Sequence, residues 1–357
     1  MKRLSWAVLL AVLVAAVPAG AQQPYYAGKT VEILVPFAPG GGTDIDARFF
    51  AQFFEKHVPG NPRVLVRNMP GGGSILGANF FAENARADGT QLLATAGSTI
   101  IPYILGLPQV RYDPAKWELI KVNGVGGIVY VSPRTGVRKP EDLVRPAERL
   151  VYGGISATGL DLVTLLLFEV LGLDVRVVMG FEGRGPARLA FERGETNIDY
   201  QTTPAYLSQV VPLVREGKAV PILSMGFVNE KGVMVRDPSA PDLPSAYEAY
   251  QALFNRKPDG LPRWKAYQSM VAAAFTFQKA LWAPAGTPPE ALQALRTAVD
   301  RMRVDPQFQQ QAKQILEGYE VLRGDVAKTA VLRAMRITLD VKKFITDLLR
   351  SKYQVRL

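Results

Sequence analysis

The chain has 357 residues, 32 of them glycine, with no cysteine and a single histidine, His57. This excludes disulfides and zinc sites built on cysteine, and forces any nucleophile–histidine pair to use His57. The net charge of +10 comes from scattered lysines and arginines with no basic arm or basic–aromatic stripe, so no nucleic acid is expected as a partner.

The first residues read as an address. Lys2 and Arg3 precede an apolar run over 4–17, and Ala19-Gly20-Ala21 is a small-x-small cleavage site. Cleavage after Ala21 leaves 336 residues and lowers the net charge to +8 by removing Lys2 and Arg3. No cysteine follows the site, so lipid attachment is not expected. Export from the cytosol is expected.

The remaining chain alternates strands and helices. A β-rich run over 30–36 leads into Pro39-Gly40-Gly41-Gly42. Apolar residues at helical spacing follow (Ile45, Phe49, Phe50, Phe53, Phe54), with Thr43 as expected N-cap, Asp46 completing a capping box, and His57 closing the helix on its last carbonyls. The pattern repeats: a strand at 63–67, Pro70-Gly71-Gly72-Gly73, a cap at Ser74, and a helix over 75–85. A third strand at 91–95 runs into Gly97-Ser98-Thr99. A segment at 128–131 crosses out of this unit, and the alternation restarts. Its features are a strand at 149–152, a small-residue loop at 153–159, a buried helix over 162–171, a strand at 175–179 and a helix opened by Gly183-Arg184-Gly185-Pro186. A short strand at 198–201, a helix over 204–215 and a strand at 220–225 follow. Residues 229–263 read as surface loop with a short helix near Tyr247. A return strand at 279–283 precedes helices opened by Pro288-Pro289 and Asp305-Pro306, and a long last helix capped by Asp325.

The expected fold class is therefore α/β. Lobe 1 is expected to hold residues 22–127 and 275–357 and lobe 2 residues 128–274, each a mainly parallel sheet flanked by helices. Two crossing strands join them, and a cleft lies beyond the carboxyl ends of the strands. The duplicated turn carries the strongest functional signal. Glycines approach a ligand closely, and the helix starts behind them offer unpaired N–H groups and the positive end of the helix dipole. The candidate anion site is Phe37, Gly40, Gly41, Gly42, Thr43, Asp44, Gly71, Gly72, Gly73, Ser74 and Ser98. Ser156, Thr158, Gly159 and Arg184 are expected to close over it from the other lobe, Arg184 as a clamp for a carboxylate. Neither turn has the lysine of a phosphate-hydrolysing loop or the spacing of a dinucleotide fingerprint, and G-x-S-x-G does not occur. No cofactor, metal or catalytic residue is expected.

The signature Pro36-Phe37-Ala38-Pro39-Gly40-Gly41-Gly42-Thr43-Asp44 with Arg48 resembles the opening of the tripartite tricarboxylate transporter receptors, the Bug family. Asn68-Met69-Pro70-Gly71-Gly72-Gly73-Ser74, Gly77 and Ala87-Asp88-Gly89-Thr90 resemble its second signature. Tyr112-Asp113-Pro114 and the segment 281–288 are similar to further family segments. The resemblance implies a type II-like, two-lobed binding-protein fold without enzymatic activity. It implies a monomer that closes on a small organic carboxylate and hands it to membrane permease subunits. Presentation of the ligand to a membrane histidine kinase is the alternative, and a secreted hydrolase a more remote one. The chain departs from the family at Leu160-Asp161-Leu162 and Phe181-Glu182-Gly183. Acidic residues at those places lead us to expect one carboxylate in the first lobe and a less acidic or amine-bearing distal end.

Overall fold

The computed structural model describes residues 23–229 and 231–357; the address segment and its cleavage site lie outside them. Among the described residues the chain forms thirteen strands. These are β1 (Thr30–Val35), β2 (Arg63–Asn68), β3 (Gln91–Thr95), β4 (Glu118–Asn123), β5 (Gly127–Val131), β6 (Leu150–Gly154), β7 (Val175–Met179), β8 (Ile198–Thr202), β9 (Val220–Ser224), β10 (Phe227–Val228), β11 (Met234–Val235), β12 (Lys279–Ala283) and β13 (Val321–Arg323).

Two sheets carry the fold. The first has the order β13-β4-β12-β3-β1-β2 and the second β7-β6-β8-β5-β9; β10 and β11 form a separate hairpin. Both sheets are mixed rather than mainly parallel. β1 runs parallel to β2 and β3, and β6 parallel to β7 and β8. The crossing strands and their neighbours break the pattern: β12 is antiparallel to β3 and β4, β13 to β4, and β5 to β8 and β9. The sequence pattern misses this because a run of apolar residues does not encode strand direction.

Strand periodicity assigns the two faces of the first sheet. Val31, Ile33 and Val35 pack under the helix Gly42–His57, while Leu34 faces the opposite layer. Phe49, Phe50 and Phe53 of that helix meet Phe308 edge-on or tilted. The helix Asp161–Leu171 is buried along all but one of its residues, as its composition predicts. The crossings between sheets run side by side at Val125 and Phe275, where the Val125 N–H donates to the Phe275 carbonyl at 3.0 Å. Gly126 lies in that crossing, and a Cβ there would overlap the Asp237 carboxylate and the Tyr319 hydroxyl.

Several expectations need correction. The first helix begins at Gly42, with Gly41 as N-cap and no side-chain cap, so Thr43 lies inside the helix. Asp46 does not complete a capping box; it pairs with Lys121 across the sheet. The last helical region is two helices, Gly324–Ala334 and Leu339–Ser351, with Arg323 rather than Asp325 at the N-cap. Asp305 does cap its helix, accepting from the Gln307 N–H at 2.8 Å. β4, β13 and the helix Pro262–Val271 were not foreseen.

Candidate functional site

Parallel pairing sets the geometry. Because β1, β2 and β3 point the same way, the helix starts that follow them open on one edge of the first sheet: Gly42, Gly72–Ile75 and Gly97. Their leading N–H groups lack an acceptor in the helix, except those of Ser74 and Thr99, which donate to the Gly71 and Ala96 carbonyls, and their dipoles add at one place. The second glycine turn is conformationally demanding. Gly71, Gly72 and Gly73 take positive φ (142°, 55° and 65°), a path glycines follow without strain, and Ser74 prolongs it at 91°. Ser74 is buried, and its hydroxyl donates inward to Thr99 Oγ1 at 3.1 Å, so it does not cap the helix and is engaged away from the cleft.

Asp44 sits inside the first turn and braces it. Its carboxylate accepts from the Gly40 N–H (2.8 Å), Arg48 Nε (3.0 Å) and Asn68 Nδ2 (2.9 Å). Burial pushes its pKa up, but these donors outweigh burial and hold it below the usual range. Asn68 also donates to the Phe37 carbonyl at 3.0 Å, tying the turn to β2. The Phe37 side chain packs on the apolar core under the sheet.

Below Thr43 lies a feature that sequence reading missed. β12 is antiparallel to β3 with Ala280 opposite Thr95, so Lys279 stands at the carboxyl end of β3, on the face of the helix Gly42–His57. Its Nζ donates to Thr43 Oγ1 at 2.8 Å, which leaves the Thr43 hydroxyl proton to donate elsewhere. Lys121, on the neighbouring β4, is also buried and donates to Asp46 (2.7 Å) and Asn123 (2.7 Å), over the Phe50 ring. Burial lowers the pKa of both lysines, that of Lys279 to about 8, with Asp46 opposing the shift. A period-two strand with a lysine at its first position reads as a strand end in water. Only the antiparallel register reveals that this end is buried.

The second lobe contributes a loop and a helix start. Ser156 and Thr158 share a hydroxyl–hydroxyl contact of 3.1 Å. Ser98 of the first lobe accepts from the Leu160 N–H at 3.3 Å, so the two lobes touch here, and a Cβ on Gly159 would stand 3.7 Å from Ser98 Oγ. Gly42 marks another point of approach: its absent Cβ would stand 3.7 Å from Thr202 Oγ1 and 3.8 Å from Lys279 Nζ.

Arg184 is not free to clamp a ligand. Nη1 donates to Tyr152 Oη (3.1 Å), the Gly153 carbonyl (2.9 Å) and Asp161 (3.0 Å), while Nη2 pairs with Asp199 and the Tyr200 carbonyl. Asp161 does not confront a ligand either. It lies buried under the loop, accepting from Tyr152, Arg184 and the N–H groups of Ile155 (3.0 Å) and Ser156 (3.2 Å). Asp161 is thus the second lobe's counterpart of Asp44, a carboxylate that folds the loop. The acidic second-lobe face expected from sequence shrinks to exposed Glu182, and the case for an amine-bearing ligand loses its acceptor. His57 is remote from the turns, with Nε2 2.7 Å from Asp305 Oδ2 rather than on helix carbonyls.

No protein-family model matches the chain. It is 27% identical over 221 residues to Protein BugT of Bordetella pertussis, a match covering 59% of this chain and 66% of that protein, just under two thirds of its length. The periplasmic binding protein BugD superposes with a TM-score of 0.67 at 21% identity, over 90% of this chain and 98% of that one. MatC from Rhodopseudomonas palustris, solved with bound malate, gives 0.63 at 23% identity, over 88% and 99%. These superpositions show the two-lobed periplasmic-binding-protein fold. In sequence the chain is thus similar to Protein BugT, and in fold to BugD and MatC.

Proposed function

We propose that this protein is a periplasmic solute receptor that captures a small organic carboxylate between its two lobes and delivers it to a tripartite tricarboxylate-type permease. The observation that carries the reading is the convergence of helix starts. Those at Gly42, Gly72–Ile75 and Gly97 in the first lobe face the Ser156–Thr158 loop of the second, with Ser98 and Leu160 in contact across the gap. Malate bound to MatC supports a carboxylate as ligand class. The carboxylate lies on the turn at Gly40–Thr43 and Gly71–Gly73, and closure brings the Ser156 and Thr158 hydroxyls to its distal end. That end is polar and uncharged, because Asp161 and Arg184 are satisfied by each other and by the loop. The single histidine is not available to a hydrolytic reaction at the turns, since His57 is held by Asp305.

Titration calorimetry with pyruvate, lactate, malate, adipate, citrate and glutamate tests the reading. At least one acid is expected to bind, with the monocarboxylates and malate ahead of the tricarboxylate citrate. Binding of a neutral sugar with no response to any acid defeats it. Two variants locate the site. Thr43→Val, which removes one hydroxyl donor to a charged group, is expected to weaken binding by about tenfold or more while the protein stays folded. Gly42→Ala meets only ordinary contact distances, so its unfolding transition stays near wild type. Its methyl group covers the helix start, however, and affinity is expected to fall by about tenfold. Unchanged affinity in both variants moves the ligand elsewhere.

A further inference from the structure

We infer that the Lys279 ammonium is the charged anchor of the cleft: the carboxylate of the bound acid is the counter-charge that the protein does not provide. The inference rests on the receptor reading above and names the residue that fixes the number of carboxylates the site accepts. The chain buries two ammonium groups side by side, Lys121 and Lys279, with one buried carboxylate between them. That carboxylate, Asp46, is committed to Lys121 at 2.7 Å. Among the described residues, the hydrogen bond recorded for Lys279 is to the neutral Thr43 oxygen. A buried cation without a partner is costly, and methionine would fill the same space without the charge. Its retention at this place calls for an anion.

The position suits one. Lys279 Nζ lies at the seam where Gly42 of the first lobe approaches Thr202 of the second. An acid resting on the start of the helix Gly42–His57 meets the helix dipole, the Thr43 hydroxyl proton and the Lys279 ammonium together. Gln278 immediately precedes β12. It is 1% exposed, and neither of its amide atoms has a partner within the described protein. One uncompensated cation matches one carboxylate; a second carboxylate finds no comparable partner.

The groups facing Lys279 are Thr43 and Asp46 from the helix, Lys121 from β4 and Thr202 from β8. Burial and Lys121 lower its pKa to about 8 against the pull of Asp46, and an anion placed beside it raises the value again. Binding therefore takes up protons near pH 8 and weakens above it, by up to about tenfold per pH unit.

The test uses the mature protein, with pyruvate and malate as probes. Lys279→Met is expected to weaken the binding of whichever probe stabilises the wild type by at least about 100-fold. Wild-type calorimetry at pH 8 in triethanolamine and in Tris buffer is expected to differ by the heat of proton uptake, and the variant's to agree. Binding within threefold of wild type, or no proton uptake by the wild type, overturns the inference. A stability measurement separates this failure from that of the receptor reading. Without any ligand, Lys279→Met is expected to unfold at a higher temperature than wild type, because it removes an uncompensated charge. If neither acid binds the wild type, whichever of the six acids above does bind becomes the probe, and the receptor reading fails only if none of them binds. A more stable variant then keeps Lys279 as an anchor, with inorganic phosphate as the next probe, whereas a less stable one shows the charge is held by the protein itself and overturns the anchor.

Discussion

Arg184→Met is expected to cost the fold about 3–5 kcal/mol, the largest single-residue effect in the second lobe. The guanidinium is the cation between two buried carboxylates, Asp161 and Asp199, each about 1% exposed. Tyr152 and Tyr130 donate to these carboxylates but carry no charge. Methionine keeps much of the volume and leaves two negative charges facing each other in a dry interior. The sign of the pH response follows. Without the arginine, both aspartates hold their protons more tightly folded than unfolded, so the deficit shrinks as pH falls toward 5 and grows toward 7. Urea unfolding at both values checks this. Asp199→Asn in the same background is expected to recover part of the loss, because neighbours in one network are not additive. A variant of normal stability that binds acids poorly gives the opposite answer and restores Arg184 as a ligand clamp.

The contrast between Arg184 and Lys279 shows what the sequence conveys about such a site. Arg184 follows a glycine at a helix start, a place where arginines clamp anions, and nothing local says that Asp161 and Asp199, 23 and 15 residues away in sequence, consume its donors. Lys279 opens a strand and looks like a solvated end. Its importance depends on the antiparallel register with β3 and on a helix more than 230 residues upstream. The glycine turns were legible because their chemistry is local: backbone amides, φ > 0 and a helix start lie within five residues. Charge pairing is non-local, and so the turns could be read from sequence while the partners of Arg184 and the burial of Lys279 could not. Asp44 and Asp161 make the same point. Read as acids that face a ligand, both turn inward and hold a loop's N–H groups.

Fold-level expectations divide along the same line. Alternating strands and helices and the buried Asp161–Leu171 helix follow from periodicity within a dozen residues. Strand direction does not, so the mixed sheets went unread. The helix Pro262–Val271 escaped because Trp264, Tyr267 and Met270 bury one face between polar neighbours, in a stretch opened by proline and glycine.

Glu317→Gln is expected to stabilise the protein by about 2–4 kcal/mol at pH 8 and by almost nothing at pH 4.5. Glu317 is 7% exposed, and burial, with the nearby Asp237 carboxylate adding, pushes its pKa up to about 8 against the opposing Thr203 hydroxyl. In the unfolded chain it titrates near the ordinary glutamate value of about 4.3. Below that value both states hold the proton and the residue is neutral to stability. Between the two values the folded state holds a proton that the unfolded state has released, so stability declines as pH rises and the loss is complete above the folded value. Glutamine keeps the shape and the left-handed backbone at φ 52° without a proton to lose. Lys279 runs the other way: its lowered pKa gives stability back between about 8 and the unfolded lysine value, so the wild-type curve alone mixes two opposite slopes. The difference between wild type and variant at each pH cancels the lysine and isolates the glutamate. A difference that stays flat from pH 4.5 to 8 means that Glu317 is ionised in the folded protein and finds its counter-charge there. A difference that opens with pH places a neutral, buried acid between the hinge residue Gly126, with its Asp237 and Tyr319 neighbours, and the last strand of the first sheet.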